Sequence, residues 1–123
     1  MKFNPATPVL RIFDEARARE FYIGFLGFNV DFEHRFEPNT PIYMGLSRDG
    51  CRLHLSEHHG DGCPGANVRI EVDEVDAYQQ SLLAKAYKYY RPGVDNTDWG
   101  TREMRVQDPF GNSLTFFNTL PKT

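Results

Sequence analysis

Two cysteines, Cys51 and Cys63, are too few for a disulfide framework, and both read as free thiols of a reducing compartment. Basic runs are missing and the net charge is only −3. The electrostatic footprint of a nucleic-acid binder is therefore absent, and the mild acidity is compatible with a cationic ligand without demanding one. No apolar run approaches the length of a membrane span, and the first residues show no signal-peptide pattern. The expectation is a cytoplasmic protein with neither a membrane nor a nucleic-acid partner. G-x-S-x-G, Walker A and G-x-G-x-x-G sequences are also missing, and Gly60-Asp61-Gly62 continues wrongly for a dinucleotide fingerprint.

Aromatic side chains, by contrast, are plentiful: ten Phe, six Tyr and one Trp in 123 residues. A chain of this length makes one domain and buries roughly two-thirds of its unfolded surface. That core leaves rings over for a ligand groove or a subunit interface.

Val9, Leu10 and Ile12 predict a first strand within 7–13. Asp14 is a good N-cap, and Ala18, Phe21, Tyr22 and Phe25 fall on one helical face that Gly27 ends. A strand of mixed pattern follows over 28–36, then a break at Pro38-Asn39-Thr40-Pro41. Ile42, Met44 and Leu46 alternate up to an Asp49-Gly50 hairpin turn, and Cys51, Leu53 and Leu55 alternate after it. Beyond a Gly-rich loop at 58–65 the order repeats. Ala66, Val68, Ile70 and Val72 alternate, and Asp73 can cap a helix with Val75, Tyr78 and Leu82 inward. Residues 87–90 read as a short strand, 92–100 as a loop and 101–118 as a final hairpin.

That hairpin carries Trp99-Gly100-Thr101-Arg102-Glu103 and the turn Asp108-Pro109-Phe110-Gly111-Asn112. Asp and Pro start such a turn, while Gly and Asn tolerate positive φ. With Pro8-Val9-Leu10, Glu20-Phe21-Tyr22, Leu26-Gly27-Phe28 and Asp31-Phe32, the chain resembles the vicinal oxygen chelate superfamily, which holds glyoxalase I, extradiol dioxygenases and the bleomycin resistance proteins. Within it the bleomycin resistance proteins are most similar. The resemblance implies an α+β fold of paired βαβββ modules, about 7–57 and 66–118, within one domain spanning 1–123. Each module would pack one sheet face on helices and turn the other toward a cup. Arg52, His54, Ser56, Asn67, Arg69 and Glu71 fall on the cup side by alternation. The resemblance further implies a domain-sharing homodimer, since the bleomycin resistance proteins share each cleft between two chains.

Enzymes of that superfamily hold a divalent metal with His, Glu or Gln. Strand-by-strand matching puts Thr7, His54, Asn67 and Thr115 at those positions. One imidazole among neutral oxygen ligands is a poor set for zinc, nickel or iron, so neither metal nor cofactor is expected. His54, His58, His59, Asp61 and Cys63 are near one another in sequence, yet fit no zinc spacing and read as a polar loop.

The resemblance implies a metal-independent binding protein that sequesters an antibiotic in grooves at a dimer interface. The candidate ligand-binding residues are Asp31, Phe32, Phe36, His54, Asn67, Arg69, Glu71, Trp99, Gly100 and Arg102, with no catalytic residue assigned. Trp99 can stack on a flat ligand or cover a dimer seam, and Phe32 and Phe36 can wall the groove or join the core. Asp31 can draw a cation. Glu71 beside Arg69 and His54 reads either as an acid–base group or as a satisfied polar network. The chain departs from the bleomycin resistance pattern where Arg69 and Glu71 replace Trp on the fifth strand, and Arg11 or Arg69 suits an anionic or zwitterionic metabolite. A glyoxalase-like lyase or dioxygenase-type enzyme on the same scaffold is the alternative.

Overall fold

The computed structural model describes residues 1–121. Its first module runs β1 (Val9–Arg11), α1 (Glu15–Arg19), a π-helical turn (Glu20–Phe25), β2 (Asn29–His34), β3 (Tyr43–Arg48) and β4 (Cys51–Ser56). The second runs β5 (Asn67–Glu71), α2 (Val75–Ala84), β6 (Asp95–Asn96), β7 (Thr101–Gln107) and β8 (Ser113–Thr119). Each builds a four-stranded sheet, in the orders β1-β4-β3-β2 and β5-β8-β7-β6. In both sheets the first strand pairs in parallel with the last, and the other pairings are antiparallel. The paired βαβββ plan expected from the sequence is the observed fold.

Alternation decides which face is which. Leu10, Met44, Leu46, Leu53 and Leu55 of the first sheet are buried in one continuous core with Met104, Val106, Leu114 and Phe116 of the second. The helices share that core through Phe21, Tyr22, Phe25, Val75 and Leu82. The opposite faces carry the polar and aromatic residues between these positions.

Asp14 caps α1, accepting the Arg17 N–H at 3.0 Å. The helix then widens instead of continuing as α: Leu26 N–H bonds to the Phe21 carbonyl at 2.9 Å, five residues back. The wider turn lets Phe21, Tyr22, Phe25 and Leu26 all face the core. Gly27 follows at φ 85, where a Cβ would meet the Arg48 guanidinium at 2.6 Å. Asp49 and Gly50 both have positive φ, as a two-residue hairpin turn requires.

Three local expectations change. Residues 87–90 form a turn rather than a strand. Tyr87 packs on the Phe25 ring at 4.7 Å and the Tyr90 hydroxyl donates to the Arg105 carbonyl, so these residues cover the π-helical turn and β7 instead of joining a ladder. The loop expected after them contains β6. The helix-capping role also moves: Glu74, not Asp73, occupies the N-cap without a side-chain bond, and Asn118 on β8 accepts the Val75 N–H at 2.8 Å.

Long-range bonds lock the modules together. The Tyr78 hydroxyl donates to the Leu26 carbonyl at 2.7 Å, and Lys85 Nζ to the Phe25 carbonyl at 2.6 Å. The Asn112 amide donates to the Arg11 carbonyl at 2.9 Å. Among the described residues no helix is long and apolar enough to cross a membrane.

Candidate functional site

The outward face of the first sheet is a floor of rings. Register places Val9, His54, Gly45 and Phe32 side by side across its four strands. Gly45 has no side chain, and the Phe32 ring fills the space over it: a Cβ there would stand 2.1 Å from Phe32 Cε1. Tyr43 lies nearly parallel to Phe32, at 6.2 Å and 14°. The His54 ring meets both Phe32 and Tyr43 edge-on at 5.3 Å, and its Nδ1 is 2.7 Å from the Tyr43 hydroxyl. His34, Phe36 and His58 extend the cluster by edge contacts of 5.1 and 6.1 Å. A bulge between Val30 and Phe32 turns Asp31 toward Ser47, whose hydroxyl donates to it at 2.9 Å.

The second sheet presents charge. Arg69 bonds Glu103 through two nitrogens, at 3.2 and 2.6 Å, and its guanidinium lies 4.4 Å over the Phe117 ring. Arg69, the Thr101 hydroxyl and Trp99 together hold the Glu103 carboxyl down at about 2. Asn67 is opposite Ser113 and Glu71 opposite Phe117. Arg105 donates to the Ser113 hydroxyl at 2.9 Å. Gly100 turns the chain at φ 92, which leaves Trp99 at the tip of the turn, 70% exposed.

Between the sheets lies a cleft of about 920 Å³ that Thr7, Arg52, Arg69 and Glu71 help to line. Cys51 sits where this cleft meets a smaller recess of about 310 Å³ beside Phe28 and Tyr78. Burial pushes its thiol above the ordinary range, so it enters as a packing group rather than a thiolate.

The candidate residues thus fall into two groups. Asp31, Phe32, Phe36 and His54 gather on the first sheet, with Phe32 and Phe36 outside the core at 44% and 77% exposure. Asn67, Arg69 and Glu71 lie on β5, and Trp99 and Gly100 form the turn before β7. Arg102 departs from both. It alternates with Glu103 and turns to the helix side, bonding Asp76 of α2 at 2.8 Å and Asn96 at 2.9 Å. Tyr43, Gly45, Glu103, Arg105 and Phe117 complete the two faces. The signal for them was the same alternation, read at the positions between the apolar ones.

A resident divalent metal does not fit this donor set. β1 sets Val9, not Thr7, beside His54, and Thr115 has Arg69 for a neighbour. His54 already spends Nδ1 on Tyr43. No three His, Cys, Asp or Glu side chains converge among the described residues. In the 58–65 loop, Asp61 accepts from the Ser56 hydroxyl and His58 meets Phe36, while Cys63 is exposed.

The chain is similar in structure to a bleomycin resistance determinant encoded on the transposon Tn5, at 19% identity over 95% of this chain and 98% of that one, with a TM-score of 0.72. A bleomycin-binding protein complexed with bleomycin aligns at 20% identity over 95% and 99%, with a TM-score of 0.70. TnmS3, an antibiotic binding protein from Streptomyces sp. CB03234, aligns at 19% identity over 99% of both chains, with a TM-score of 0.66. At these identities the likeness is one of fold. No curated protein sequence matches. The family described as glyoxalase superfamily protein matches residues 1–121, and the chain belongs to that superfamily.

Proposed function

We propose that this protein binds a small molecule, of the antibiotic type that similarly folded proteins bind, without a metal and by stoichiometric sequestration. The observation that carries the reading is the ring floor of the first sheet. Phe32, Tyr43 and His54 are ordered against one another on a face that the chain's own core does not use. Exposed rings cost free energy unless something covers them, and a flat ligand is a natural cover. The second sheet adds Arg69 on Phe117, and the exposed Trp99 ring offers a surface for stacking.

In this reading two copies pair in the cytoplasm, and the second copy closes each open cup. Asp31, Phe32, Phe36, His54, Asn67, Arg69, Glu71 and Trp99 contact the ligand, and Gly100 sets the Trp99 turn. Arg102 braces that turn against α2 through Asp76. Similarly folded proteins bind bleomycin and other antibiotics, so bleomycin is the first probe.

Calorimetric titration tests the reading. The expected result is one molecule per protomer, quenched Trp99 fluorescence and weaker binding in Trp99→Ala, with no stoichiometric metal by elemental analysis. Stoichiometric zinc, nickel or iron bound through His54, or turnover lost in His54→Ala with the fold retained, would replace it with the lyase or dioxygenase-type alternative.

A further inference from the structure

We infer that Tyr43 fixes His54 as a hydrogen-bond donor aimed into the cup, and that the ring floor takes a planar conjugated molecule through a carbonyl or carboxylate oxygen. The inference rests on the outward face of the first sheet being a binding site.

The Tyr43 hydroxyl has a single hydrogen-bond partner among the described residues, His54 Nδ1 at 2.7 Å. Burial and the nearby Asp61 carboxylate raise its pKa, so it meets the imidazole as an O–H group. A phenol that donates to Nδ1 leaves the proton of a neutral imidazole on Nε2, because the bond made by one ring nitrogen sets the tautomer of the other. Nε2 has no partner among the described residues, and it is not among the buried atoms left unpaired. It is therefore not sealed from solvent, and has an N–H to give.

Geometry selects the ligand's shape. Phe32 lies over Gly45 with Tyr43 nearly parallel to it, and both rings pin the imidazole edge-on. A flat molecule gains stacking from such a floor, and an oxygen at its rim reaches the N–H. Arg52 lies two residues along β4 on the same face and has no carboxylate partner among the described salt bridges, so it favours an acceptor that is also an anion.

The probes are 2-naphthoate and 2-naphthylmethylammonium, which share a planar ring system but offer an acceptor and a donor respectively. In ligand-free protein at pH 8.5, ¹⁵N spectra of the His54 ring are expected to show the Nε2–H form, and Tyr43→Phe to give a mixture of tautomers. Naphthoate is expected to shift the Nε2 resonance and to bind at least about tenfold tighter than the ammonium probe, a difference of about 1.4 kcal/mol. That preference should shrink severalfold in Tyr43→Phe and in His54→Phe, which keeps a ring on the floor. An Nδ1–H tautomer in the free protein overturns the inference, as does a preference unchanged in His54→Phe. If bleomycin perturbs the Phe32 and Trp99 signals while naphthoate leaves His54 untouched, the ligand class is wrong and the binding reading stands. If neither compound perturbs either sheet face, both fall.

Discussion

The Tyr22 hydroxyl donates to Asp108 Oδ2 at 2.6 Å, joining the π-helical turn of one module to the hairpin turn of the other across 86 positions. The same carboxylate accepts the N–H groups of Phe110 and Asn112 and the Asn112 amide, each at 2.8 Å. A motif that looks like a local turn is thus also the latch between modules. Burial first, and then Asp108, holds the Tyr22 hydroxyl far above its usual titration range. Tyr22→Phe should cost about 1–2 kcal/mol in urea unfolding, and Asp108→Ala about 3 kcal/mol, because the latter strands several buried donors. A Tyr22→Phe variant as stable as wild type would show that the latch contributes nothing beyond the turn.

The second helix is capped from outside its own sequence. Asn118→Ala should lower stability by about 1 kcal/mol by freeing the Val75 N–H, whereas Asp73→Ala should change it by less than about 0.5 kcal/mol. Thermal denaturation of the two variants side by side checks the ranking.

The Phe32 ring needs the bare backbone of Gly45. Gly45→Ala should cost about 1–3 kcal/mol by forcing the ring off its seat. In a Phe32→Ala background the same change should cost much less, since the clash has gone. A double-mutant cycle measures the coupling, and strict additivity would mean that the ring is not seated there.

Glu103 carries the pH dependence of the second sheet. Its carboxyl is held at about 2 against an ordinary 4.5, first by Arg69 and then by Thr101. The contribution is therefore complete above the higher value and is lost as pH falls toward the lower one. Between those limits wild type should lose stability relative to Glu103→Gln, with the gap constant above pH 5. Urea midpoints across that range give the comparison; parallel curves for the two proteins would remove Glu103 from the account.

Much of this architecture was legible because two-residue alternation marks a sheet with one face in a core. Met44, Leu46, Leu53, Leu55, Val68 and Ile70 declared the inner faces, and Asp49-Gly50 and Asp108 to Asn112 declared the turns. What stayed hidden depends on distance in sequence. Asn118 replaces Asp73 as the cap because β8 delivers it there, and Tyr87 serves Phe25 rather than a strand. At the candidate site, His54 and Phe32 were visible as residues, but their meeting over Gly45 follows from a strand register that no local pattern states. Arg102 lies on the other face of β7 for a simpler reason. Its neighbour Glu103 points to the cup, so Arg102 cannot.

The π-helical turn makes the first module sensitive to length more than to composition. Deleting one residue there, Gly24 for instance, would restore ordinary winding and swing Phe21 and Tyr22 about 100° relative to Phe25. The Tyr22 hydroxyl would leave Asp108 even though no bonding side chain had been altered. Insertions and deletions should therefore be tolerated in loops such as 35–41 and 58–65, whereas the stretch from Asp14 to Gly27 tolerates substitution better than any change of length.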